Sequence, residues 1–148
     1  MTYSVSIQER LFPDILCFGC GPANTQGLRL KSFVTDEGVV ADFLPSPHLD
    51  NGIGVLNGGI ITTLLDCHGG AAVMHQAEID GDAPGIWVTA RIDVRFIRPI
   101  PLDEVSHLTA EILSKGPQEM TVRTDIHVQG KIGASATARW VMPSPRPS

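Results

Sequence analysis

The sequence predicts an α+β fold in which an antiparallel sheet of about six strands packs against one long helix. Three observations carry this: one stretch with helical spacing, from about Asn57 to His75 or Gln76; two alternating stretches before it; and four after it, with no further helix signal. With 148 residues the chain reads as a single domain, long enough to bury roughly 70% of its unfolded surface. Its core is expected over about residues 17–142, with 1–16 as an N-terminal extension and 143–148 as a tail.

In chain order, residues 1–15 fit a short helix or a loop. "LRLKSF" and "VVADFL" read as strands joined by the turn residues Asp36, Glu37 and Gly38, a hairpin. The Pro-rich "PSPHLDNGIGVLNGG" leads into the helix. Beyond the loop "IDGDAPG", the segments "IWVTARIDVRFI", "VSHLTAEILS", "EMTVRTDIHV" and "IGASATARWVM" alternate as strands do, with breaks at "RPIPLDE", "KGPQ" and "QGK". The closing "PSPRPS" reads as a disordered tail.

Composition narrows the partners. A net charge of −5 argues against nucleic acid, whose phosphates call for a basic face. Residues 1–16 lack the basic and apolar blocks of a signal peptide, and no apolar run reaches the roughly 18 residues that a membrane span needs. A cytoplasmic location is expected, and three cysteines, an odd number, fit a reducing compartment.

The helix divides by angle. At 100° per residue, Ile60, Ile61, Leu64, Leu65, His68, Ala71, Ala72 and His75 share one arc, the expected core face. Gly59, Thr62, Thr63, Asp66, Gly69, Gly70 and Val73 share the other. Glycine inside a helix costs about 1 kcal/mol relative to alanine, so this small-residue face either lines a cleft or subunit contact, with Asp66 at its centre, or meets water. At the helix start Asn57 is the expected N-cap. The amides of Gly58, Gly59 and Ile60 then lie at the positive end of the dipole without helical partners. Gly58 and Gly59 either let a carbonyl oxygen approach those amides, as a developing oxyanion requires, or simply let the chain enter a crowded helix.

These residues resemble a known signature. "NGIGVLNGGIITTLLDCHGG" is similar to the motif of hot-dog-fold thioesterases of the phenylacetyl-CoA (PaaI-like) type, where an Asn is followed by His-Gly-Gly and a helical Asp or Glu. Upstream, "CFGCGPANTQGLRL" looks like a Cys-x-x-Cys-Gly loop found in one branch of the superfamily, and downstream "VTARIDVRFIRPIP" looks like its central strand. The resemblance implies the hot-dog fold, a long helix wrapped by a curved antiparallel sheet, and cofactor-free hydrolysis of acyl-CoA thioesters. It implies Asp66 as general base or nucleophile, the Gly58 amide as carbonyl polariser, Asn51 as a group placing water or thioester, and Thr89 as the hydroxyl near the start of the central strand. Asn57, Gly59 and Thr62 would contact substrate. The chain departs from the motif at Asn57, where the family has His, and at Cys67, where relatives with Asp usually have Glu.

Other constellations read as structural. Cys17 and Cys20 form a lone C-x-x-C without a second ligand pair, so a loop without metal is expected. Cys67 adjoins Asp66 and His68, but neighbouring helical residues point about 100° apart. His68 and His75 are expected as hydrogen-bonded core histidines. Arg91, Arg95 and Arg98 read as a solvated strand face, or as contacts to CoA phosphates. The expectation is therefore a homodimeric acyl-CoA thioesterase, assembling further to a tetramer; the alternative is a non-catalytic hot-dog protein that binds acyl-CoA or a related ligand.

Overall fold

A computed structural model describes residues 4–82 and 85–143. Its elements are α1 (Ile7–Leu11), β1 (Phe33–Thr35), β2 (Gly38–Phe43), α2 (Gly58–Ile79), β3 (Val88–Phe96), β4 (Ser106–Lys115), β5 (Glu119–Val128) and β6 (Lys131–Val141). The six strands form one sheet in the order β1-β2-β4-β5-β6-β3, every neighbouring pair antiparallel. Of the tail expected at residues 143–148, residues 144–148 lie outside the described residues.

The ambiguous N-terminal stretch contains a helical turn. Ser6 caps it by accepting from the Glu9 amide while Glu9 reaches back to the Ser6 amide, a capping box. Its buried Ile7 docks by a backbone hydrogen bond of 2.8 Å, its amide donating to the Ser32 carbonyl. The first strand is shorter than expected. Arg29 takes a left-handed conformation, φ 54°, and the amides of Leu28 and Leu30 bond the Phe18 and Gly19 carbonyls at 2.8 and 3.0 Å. Residues 28–32 therefore hold the 17–21 loop rather than lengthening the sheet.

α2 begins where expected, with the Asn57 side chain accepting from the Gly59 and Ile60 amides, and runs about a turn past His75. The two-face partition holds for its first half only. Gly69, Gly70 and Val73 are buried, not part of an open small-residue face, because the sheet closes over the second half of the helix, with Val122 and Thr124 of β5 and Trp140 of β6 against the two glycines. On β5, Met120, Val122, Thr124 and Ile126 form the buried inner row; their β6 partners are Trp140, Ala138, Ala136 and Ala134. The helical glycines make room for that row. A methyl group on Gly70 would sit 2.6 Å from the Trp140 ring. Gly70→Ala is therefore expected to lower stability by about 1–2 kcal/mol, overpacking outweighing the better helix propensity. Urea unfolding checks this, and a midpoint at or above wild type would mean that Trp140 shifts without cost.

The same wrapping buries His68 completely. Its Nε2–H donates to the Val39 carbonyl at 3.2 Å, so Nδ1 accepts from the Ser32 hydroxyl at 2.8 Å, and Ser32 in turn accepts from Gln8 Nε2 at 3.2 Å. The histidine joins α1, β2 and the segment before β1 to the centre of α2. At the two sheet edges the strands differ: β1 has three residues and β3 has nine, with Val88 and Phe96 exposed.

Candidate active site

Asp66 stands in the middle of α2, half-buried, and accepts a hydrogen bond of 2.6 Å from the Thr89 hydroxyl of β3. A bulge makes this contact. Thr89 pairs with Trp140 and Arg91 with Arg139, so Ala90 is an extra residue in β3. Without it, the alternation that turns Ile92 and Val94 inward would turn Thr89 out beside Arg91; the extra residue reverses it. Burial pushes the Asp66 carboxyl above the ordinary range, the Thr89 bond opposes that, and nearby negative charge at Cys17 adds to it. A carboxylate so placed is a stronger base than one in water and keeps an oxygen for a second partner.

A second group of residues gathers at the helix start. Asn51, Gly58, Phe96 and Arg98 line a groove of about 340 Å³. Gly58 is not required by packing, since a Cβ there would meet only the Phe96 ring at 3.5 Å. Its amide occupies the first helical position, and the Asn57 cap takes the next two, at 2.8 Å to Gly59 and 3.2 Å to Ile60. The Gly59 amide is thus already engaged. Thr62 donates its hydroxyl to the Gly58 carbonyl at 2.9 Å, fixing the first turn. Asn51 accepts from the Ile53 amide at 3.0 Å, and Arg98 donates to the Ile132 carbonyl at 3.1 Å.

The two groups do not meet within one chain. Gly58 and Asp66 are eight residues apart, a rise of about 12 Å. Arg91 belongs to neither: it lies on the outer face of the sheet, paired with Asp93 at 3.1 Å, where it lines with Arg95 and Arg123 a wide concavity of about 870 Å³. Two neighbours escaped the sequence reading. Phe96 covers Gly58, and its outward-looking strand pattern gave no sign of this. Cys17 reaches the surroundings of Asp66 from a loop about fifty positions earlier, a separation that no local pattern bridges. Among the described residues no helix is long and apolar enough to cross a membrane.

The long helix, the sheet wrapped around it and a half-buried helical carboxylate facing a strand hydroxyl define a hot-dog protein with a candidate hydrolytic site. The thioesterase superfamily profile matches residues 53–133, more than half of the chain, and the chain belongs to that superfamily. No curated protein matches the sequence significantly. Among solved structures, one described as a thioesterase superfamily protein is 26% identical with a TM-score of 0.67; the match covers 82% of this chain and only 60% of that one. A phenylacetic acid degradation-related protein of Ralstonia eutropha is 18% identical with a TM-score of 0.74, covering 93% of this chain and 99% of that one. A Bacillus halodurans protein solved with CoA is 23% identical with a TM-score of 0.66, over 78% and 72% of the two chains.

Proposed function

We propose that the protein hydrolyses acyl-CoA thioesters, with Asp66 as the catalytic carboxylate. The Thr89–Asp66 bond carries this reading: it holds a half-buried carboxylate in one rotamer with an oxygen left to act. Asp66 takes a proton from water as the water oxygen attacks the thioester carbon, or attacks that carbon itself to give, once the thiolate has left, an anhydride that water then hydrolyses to free the acid and the carboxylate. The negative charge that develops on the carbonyl oxygen is met by the Gly58 amide, with Asn51 and Arg98 beside it. Collapse expels the CoA thiolate, a good leaving group that needs no strong general acid. Membership of the thioesterase superfamily and the CoA found in the Bacillus halodurans relative support the substrate class. A panel of acyl-CoAs assayed for thiol release tests the activity. If substrates bind without thiol release, the non-catalytic reading stands instead, favoured by Asn57 where the signature has His.

We propose further that the site is shared by two subunits, a reading supported by the separation of Gly58 from Asp66. An oxyanion donor and an attacking oxygen must both lie about 3 Å from one carbonyl group, which one helix cannot supply across about 12 Å. A twofold pairing through the exposed β3 edge would set the helices antiparallel, Gly58 of one chain opposite Asp66 of the other. Mixing Asp66→Asn with Gly58→Pro, each inactive alone, is then expected to restore roughly a quarter of wild-type activity. Half of randomly exchanged dimers are mixed, and each holds one intact site. Inactive mixtures in which mass spectrometry shows mixed dimers would rule the shared site out.

A further inference from the structure

The Cys-x-x-Cys-Gly loop has a third cysteine against it. The Gly21 amide closes the loop onto the Cys17 carbonyl at 2.8 Å, and the bonds from Leu28 and Leu30 press it onto the middle of α2, where Cys67 stands. The three sulfurs lie within 4.8 Å of one another. Cys20 is buried, Cys67 half-buried and Cys17 exposed, and all three are free thiols. A disulfide would need about 2.05 Å between sulfurs. The Cys17–Cys67 separation is 3.8 Å, which matches the edge of about 3.8 Å of a tetrahedron with metal–sulfur bonds of about 2.3 Å.

The backbone is shaped around these sulfurs. A methyl group on Gly19 would overlap the Cys67 sulfur, so glycine between the paired cysteines lets the third one in.

We propose that Cys17, Cys20 and Cys67 form a three-thiolate site for a thiophilic divalent cation, zinc in the first instance, completed by water on the exposed side of Cys17. Three soft thiolates select such a cation over hard oxygen-seeking ions. On binding, the thiol protons still held by the cluster leave to solvent and three metal–sulfur bonds form, with no change of oxidation state. The cation clamps the N-terminal loop to the helix that carries Asp66. The site is independent of the proposed turnover, since a thioesterase and a mere binder could each carry it.

Tag-free protein purified under reducing conditions is expected to hold one zinc per chain by native mass spectrometry and elemental analysis. A strong chelator should lower its melting temperature, and zinc should restore it. Cobalt(II) added to the stripped protein should give the near-ultraviolet charge-transfer band of cobalt thiolates, read on unaltered chain. Cys67→Ser should weaken zinc binding at least about 10-fold, whereas a site made by the Cys17–Cys20 pair alone would lose nothing. Metal-free protein with no cobalt band, a mass two hydrogens light from a disulfide, or Cys67→Ser binding zinc as wild type does would each overturn the proposal.

Discussion

Asp66→Asn is expected to lower kcat for acyl-CoA hydrolysis by about 100-fold or more, the usual worth of a positioned base, without lowering the melting temperature. The amide is nearly isosteric. Its oxygen still accepts from the Thr89 hydroxyl, which stands 2.6 Å from the carboxylate, so the helix–strand contact survives and only the proton acceptor is lost. Burial, which raises the Asp66 pKa, sharpens the contrast, because a neutral side chain sits more easily in that environment than the charge it replaces. A variant retaining more than about a tenth of wild-type kcat with the same melting curve would remove Asp66 from the chemistry.

The largest effect on stability is expected at His68. Truncation to alanine removes the acceptor of the Ser32 hydroxyl proton and the imidazole donor to the Val39 carbonyl and leaves a cavity beneath α2, at a cost of about 3–5 kcal/mol. In urea the midpoint should fall with an unchanged slope. A loss under about 1 kcal/mol would mean that water or a shifted side chain replaces the imidazole. The histidine also sets a pH dependence. Burial holds its pKa at about 4, below the roughly 6.5 of an unfolded chain, so between those values the unfolded state binds more protons. Its contribution is complete above about pH 6.5 and is lost as the pH falls towards 4. His68→Gln should flatten the stability curve across that window by up to one proton.

Much of this arrangement is legible from local spacing. The 3.6-residue period places Leu64, Leu65 and His68 inward, and the strand "EMTVRTDIHV" coincides with β5, because a run of alternating residues between turn signals has little freedom in register. The cap at Asn57 follows from its side chain and the glycines beyond it. What spacing misses is non-local. The expected small-residue face ignored a sheet that closes over Gly69 and Gly70. The inward turn of Thr89 depends on the single extra residue Ala90, which leaves no mark in composition; only the resemblance singled that threonine out. Arg29 bends the chain with a conformation uncommon for its residue type, and so brings Cys17 and Cys20 to Cys67.

The unequal sheet edges have a consequence for growth. Fibrillar stacking of sheets needs two adhesive edges per chain, one to join and one to be joined. Here one border is the three residues of β1 and the other the nine of β3. A ribbon that recruits through β3 uses up the long border of both participants and presents only the short one at either end. Polymerisation through strands therefore terminates after a single event, and the long, partly apolar strand is spent on one partner instead of seeding a filament.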